Sequence, residues 1–177
     1  RENGQILNES IQKVSSKAVK ANKLFPANSI LISTSATIGE HALIRVPHLA
    51  NQRFTCLSLK AEYLDKFNIK FIFYYCFLLA DWCKKNTTIS SFASVDMEGF
   101  RKFKFPIPAL AIQAEIVRIL DAMTSHTAEL TAELTLRQKQ YNYYRDKLLS
   151  FEDGEVEWKK LGDLAENFDS KRKPITS

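Results

Sequence analysis

The rhythm of apolar and polar positions changes three times along the chain. Residues 1–28 are mostly polar, and Ile6, Leu7, Ile11 and Val14 are spaced for a short amphipathic helix. Pro26-Ala27-Asn28 then marks a turn. Ser29-Ile30-Leu31-Ile32-Ser33 is a short apolar run suited to a buried strand, followed by a hydroxyl-rich loop that Gly39 closes. Ala42 to Val46 predicts a second strand, ended by Pro47, and Phe54 to Leu59 a third. From Tyr63 to Cys83 the period lengthens. Leu64, Phe67, Phe71, Tyr74, Leu78 and Trp82 recur every three or four residues, as one face of a helix does. Lys84 to Ser94 is a polar loop, after which Ser94 is placed to cap a short helix with Asp96 in its first turn. Lys102-Phe103-Lys104-Phe105 alternates like a half-buried strand, with Lys102 and Lys104 on one face, and Pro106 and Pro108 close the unit.

The third rhythm is the longest. Ala109 to Ser150 holds neither Gly nor Pro. Ile116, Leu120, Met123, Thr127, Leu130, Leu134, Arg137, Tyr141, Tyr144, Leu148 and Phe151 step by four and three without a slip, which is a heptad seam. A helix of that length runs roughly 60 Å at about 1.5 Å per residue. It is a strut whose seam needs a partner helix. Its tandem repeat, Thr127-Ala128-Glu129-Leu130 and Thr131-Ala132-Glu133-Leu134, reads as a length adjuster. Asp153-Gly154 ends the helix, and Val156 to Leu164, with Trp158, Leu161 and Leu164, opens another packed unit. The expected fold is α+β: a small mixed domain over residues 1–108, one long coiled-coil-type helix over 109–152, and the start of a further domain over 153–177.

Charge is uneven along the 177 residues, whose net value is +5. Residues 1–105 carry 15 Lys/Arg against 8 Asp/Glu, whereas 106–177 carry 10 against 12. A basic first part points to a polyanionic partner. Phe71 to Ala80, the longest uncharged apolar run, is far shorter than the ~20 residues of a membrane-spanning helix. The N-terminal residues form no signal segment. Cys56, Cys76 and Cys83 make an odd number without a C-x-x-C pair, as in a reducing, cytoplasmic setting. His41, His48 and His126 lack ligand spacing, so no metal is expected. Isolated glycines and the absence of nucleophile-elbow or paired-carboxylate patterns predict no catalytic centre and no cofactor in this chain. The missing initial Met and the abrupt C-terminus suggest a segment of a longer protein.

Duplex readers need cations for phosphates and forked polar side chains for base edges. Three stretches offer them: Ser33, Thr34, Ser35 and Thr37, with Arg45 on the next strand; Asn51, Gln52 and Arg53; and Lys84, Lys85, Asn86, Thr87, Thr88, Ser90 and Ser91. Solvated loops and backbone-satisfying turns are the plainer alternatives for all three. For the helix, Ile116, Leu120, Met123, Leu130, Leu134, Tyr141, Tyr144 and Leu148 are the expected pairing seam, by which two copies of this chain would dimerise.

Several of these stretches resemble a known family. Phe105-Pro106-Ile107-Pro108 followed by Gln113, Ile116, Val117, Ile119 and Leu120 is similar to the proline-marked opening of the conserved helix in DNA-specificity subunits of type I restriction-modification enzymes. Arg137 to Tyr141 and Tyr143 to Leu149 resemble that helix's continuation, and Glu157-Trp158-Lys159-Lys160-Leu161-Gly162 the opening of a recognition domain. Ala36-Thr37-Ile38-Gly39 and Asn51-Gln52 are similar to two motifs inside such domains. The resemblance implies a non-catalytic host-defence subunit that reads one half of a bipartite site in double-stranded DNA. It also implies modification (methyltransferase) subunits that use S-adenosylmethionine, and restriction subunits, as partners. The rival reading is a homodimeric coiled-coil interaction protein whose basic domain has no specific DNA target.

Overall fold

The computed structural model describes residues 5–10, 13–15, 17, 19, 24–88, 93–152 and 154–166. The chain divides into two compact units, Arg1–Ser125 and His126–Ser177. The first is a mixed α+β body and the second is dominated by helix.

In the first unit β1 (Gln5–Leu7), β2 (Ser29–Ser33), β3 (His41–Ile44) and β4 (Phe54–Leu57) form one sheet in the order β1-β3-β2-β4. β2 pairs antiparallel with β3 and β4, and β1 lies parallel to β3. The predicted strand at 29–33 occurs at those residues; the other two end early, at Ile44 and Leu57. The helix expected over Ile6 to Val14 is corrected. Gln5–Leu7 is a strand, because it supplies the ladder partner that the open edge of β3 needs. Val14 is exposed, and Ile11 lies outside the described residues.

Helix α1 (Ile69–Lys85) covers the sheet. It starts six residues later than Tyr63, where the Asn68 side chain caps it by accepting from Lys70 N; Ala61–Tyr63 is a short 3-10 turn. Its buried face also differs from the one expected. Ile72, Cys76, Leu79 and Cys83 are buried with Phe71, Phe73 and Ala80, while Leu64 and Leu78 are 64% and 56% exposed. The helix packs on two sides, which a single stripe of large residues does not reveal. The thiols at 76 and 83 are pushed up to about 12 and about 11, burial being the main cause.

Beyond α1, β5 (Thr87–Thr88) and β6 (Ser94–Val95) form a two-stranded ribbon, followed by α2 (Met97–Lys102). Asp96 caps α2 by accepting from Glu98 N at 3.0 Å, so the cap is Asp96 and not Ser94, which belongs to the ribbon. No strand forms at Lys102–Phe105. Lys102 ends α2 and Phe103 turns the backbone extended; the segment is anchored by its rings, Phe103 and Phe105 packing on each other and on Tyr75, with Trp82 edge-on to Phe103.

Helix α3 (Leu110–Leu148) follows, 39 residues long; it ends before the 152 expected for the strut, so Phe151 of the predicted seam lies beyond it. Its first turns belong to the first unit, where Gln113 and Val117 are buried. In the second unit the described side chains are exposed save half-buried Asn142, and α4 (Leu161–Leu164) is a single turn.

Candidate nucleic-acid interface

The hairpin joining β2 to β3 is built from its own hydrogen bonds. Ser33 is 1% exposed; its hydroxyl donates to the Ser35 carbonyl at 2.8 Å and accepts from Thr37 Oγ1 at 3.3 Å. Ser33 N donates to Glu40 O, Gly39 N to Ser33 O and Glu40 N to Thr37 O, at 2.7, 3.0 and 3.1 Å. Two residues take left-handed backbone, Ala36 at φ 65° and Gly39 at φ 89°. A Cβ on Gly39 would lie 2.9 Å from the Ala80 carbonyl oxygen and 3.0 Å from Lys84 Cε. The glycine therefore lets the hairpin rest on the last turns of α1. Beneath it His41 is buried, 4.5 Å from the Phe77 ring with its Nδ1 3.2 Å from Gly39 O; burial pushes its pKa down and favours the neutral imidazole.

Thr34 is the crossing point. Its N–H donates to Arg53 O at 3.0 Å, its carbonyl accepts from Val95 N at 3.0 Å, and its hydroxyl is 3.3 Å from that of Thr55. Ser35 forms a bridge with Ser94. One loop thus fastens the 51–53 turn on one flank and the β5–β6 ribbon on the other. Asn51 shapes its turn, Oδ1 accepting from Arg53 N at 3.0 Å, while the side chains of Gln52 and Arg53 are exposed. Asn86 closes α1: its Nδ2 donates to Trp82 O at 2.8 Å and its carbonyl accepts from Asp96 N at 3.0 Å. Thr88 Oγ1 lies 3.0 Å from Ser94 Oγ.

Lys84 and Lys85 stand exposed on the final turn of α1, where cations suit the helix dipole. Lys84 Nζ is 3.5 Å from Asp81 in an exposed pair worth little. Ala36, Thr37, Ile38, Glu40, Lys84 and Thr87 line an open depression of ≈ 520 Å³. So the three stretches chosen from the sequence meet on one surface, with Ser33 buried inside it. Arg45 does not join them. It follows the opposite end of β3 and donates to Asn28 Oδ1 at 2.8 Å. Lys102 is held by Glu98 at 2.6 Å. Ser90 and Ser91 lie outside the described residues. Sequence reading passed over Glu40. Nothing in the sequence marked it, since a lone carboxylate in a basic domain forms no pattern.

The root of α3 is clamped by a buried glutamine. Gln113 Oε1 accepts from Asn68 N, and Nε2 donates to Lys66 O and Pro108 O, each at 2.8 Å. Asp121 accepts from Lys70 and from Tyr74, at 2.5 and 2.7 Å. Burial works to raise its carboxyl, but those hydrogen bonds hold it below its ordinary range. Of the predicted seam, Ile116 and Leu120 are half-buried in a groove of ≈ 330 Å³ with Phe71, Tyr74, Tyr75 and Leu78. Met123, Leu130, Leu134, Tyr141, Tyr144 and Leu148 are each at least half exposed. Among the described residues no group of His, Cys, Asp and Glu is placed to hold a metal, and no helix is long and apolar enough to cross a membrane.

A family model described as "Type I restriction modification DNA specificity domain" matches residues 2–137. The chain belongs to that family. It is similar to the type I restriction enzyme EcoprrI specificity subunit of Escherichia coli, 68% identical over 93% of this chain and 44% of that protein. It also resembles the EcoR124I/EcoR124II specificity subunit of the same organism, 48% identical over 56% of this chain and 26% of the relative. The chain therefore spans less than half the length of these relatives. A solved chain from work on complex assembly and conformational transition of the type I R-M system shares the fold, with TM-score 0.58 and 19% identity over 70% of this chain and 30% of that one.

Proposed function

We propose that the chain is the DNA-reading part of a type I restriction-modification specificity subunit, recognising one half of a bipartite duplex site without performing catalysis. The crossing at Thr34 carries this reading, because it joins three cation- and hydroxyl-bearing loops into one surface in a chain of the DNA specificity family. Lys84, Lys85 and Arg53 serve phosphates, while Thr34, Ser35, Thr37, Gln52, Thr87 and Thr88 stand nearest base edges. Residues 1–108 then form part of one recognition domain, 109–152 the spacer helix and 153–177 the opening of a second domain. Modification subunits, which bring S-adenosylmethionine, and restriction subunits join the same cytoplasmic assembly.

The exposed seam supports pairing of α3 with another helix. Two copies laid antiparallel with Leu130 against Leu134 place Tyr144 on Leu120, Tyr141 on Met123 and Leu148 on Ile116. The same register sets Thr127 against Arg137, the two seam members that are not apolar, so neither faces a hydrocarbon layer. This supports a homodimer of the isolated chain.

Competition binding with labelled duplexes at low salt tests the proposal. Competitors of equal length and different sequence should differ in displacing power. Lys84→Ala with Lys85→Ala should weaken every duplex alike and flatten the slope of log K against log salt by about two phosphate contacts' worth. Equal displacement by all sequences would reject sequence reading and favour an interaction protein with a merely basic domain.

A further inference from the structure

Glu40 stands where a phosphate-facing surface has least use for a carboxylate. It is half-buried in the depression lined by Thr37, Lys84 and Thr87. Among the described residues its carboxylate has no hydrogen-bond or ion-pair partner, and Lys84, the nearby cation, is paired with Asp81 instead. Its main chain is fixed on both sides, N–H to Thr37 O and carbonyl to Ser33 N, and the preceding glycine is pressed against Ala80 and Lys84. The main chain that carries the acceptor is thus held, and the acceptor itself is unused among the described residues.

A carboxylate is repelled by the phosphate backbone, so on a duplex its only favourable partners are donors. In the major groove those are the exocyclic amino groups at base edges, N4 of cytosine and N6 of adenine. We propose that Glu40 is a specificity-determining residue that accepts a hydrogen bond from an amino-bearing base, while Lys84 at the rim of the same depression docks the adjoining phosphate. The hydroxyls of Thr37 and Thr87, which donate or accept as required, complete the edge contacts. This assignment rests on the DNA-reading function proposed above.

Selection of bound duplexes from a randomised pool, followed by sequencing, tests it with this chain and its Glu40→Ala and Glu40→Gln variants. The parent should select a cytosine or adenine at one position that Glu40→Ala relaxes, lowering preference there on the order of tenfold. Preferences at the other positions should stand. Glu40→Gln, which can both accept and donate, should move that position toward adenine. Unaltered preference at every position in both variants would overturn the assignment while leaving DNA reading intact. Loss of the fold in Glu40→Gln, whose side chain has nearly the same size, would show the carboxylate to be structural and also overturn it. A parent that enriches no sequence would instead defeat the function on which the assignment rests.

Discussion

A methyl group at position 39 would sit 2.9 Å from the Ala80 carbonyl oxygen on a backbone with φ 89°. Both the contact and the dihedral oppose any side chain, so Gly39→Ala should destabilise the first unit by about 1–3 kcal/mol in urea denaturation. It should also weaken DNA binding, because the hairpin can no longer rest on α1. A stability within about 0.5 kcal/mol of the parent would show that the tip is not seated as described. Gln113→Leu is a second residue-scale test. It leaves the Asn68 N–H and two carbonyls without their partner and should cost about 1–3 kcal/mol. At this scale sequence reading found the hydroxyl loop and the glycine that closes it. It could not tell that Ser33 and Asn51 spend their polar atoms on their own turns, since the same residue types suit either task. Glu40 escaped because a lone carboxylate in a basic domain gives no pattern.

At the scale of elements, continuous runs were legible and shared faces were not. Ser29–Ser33 stands as expected because a central strand with four of its five residues buried and Leu31 half-buried leaves an unbroken apolar run. α1 was found, but its buried stripe was misplaced. Phe71, Tyr74 and Leu78 share one groove with residues of α3, whereas Ile72, Cys76, Leu79 and Cys83 make the inward face. β1 was hidden because three residues cannot display a period, and parallel pairing with β3 is decided by a distant edge. The long helix α3 was readable, and the members of its heptad pattern from Met123 to Leu148 that are large and apolar are exposed, which is why pairing is proposed for it. Leu130→Asp with Leu134→Asp removes the central layer of the proposed register and should convert a dimer to monomers in light scattering at tens of micromolar. A parent that is monomeric at that concentration would contradict the pairing.

At the scale of the whole molecule, the uneven charge pointed only to a polyanionic partner and the long helix only to a strut; the resemblance of motifs such as Phe105-Pro106-Ile107-Pro108 pointed to the family that the match over residues 2–137 bears out. The meeting of loops from residues 33–40, 51–53 and 84–88 was not legible, because hydrogen bonds at Thr34 between segments far apart in sequence create it. The central claim is that this surface reads one half of a bipartite site. Its most direct test replaces the matched 44% of the EcoprrI specificity subunit with this chain and maps the sites modified by the reassembled enzyme. The same chimera is then tested with Thr37, Gln52, Arg53, Thr87 and Thr88 changed to Ala. A defined two-part site should be modified in the first case. In the second, one half of that site should relax while the other stays fixed. Retention of both halves, or equal relaxation of both, would contradict the account.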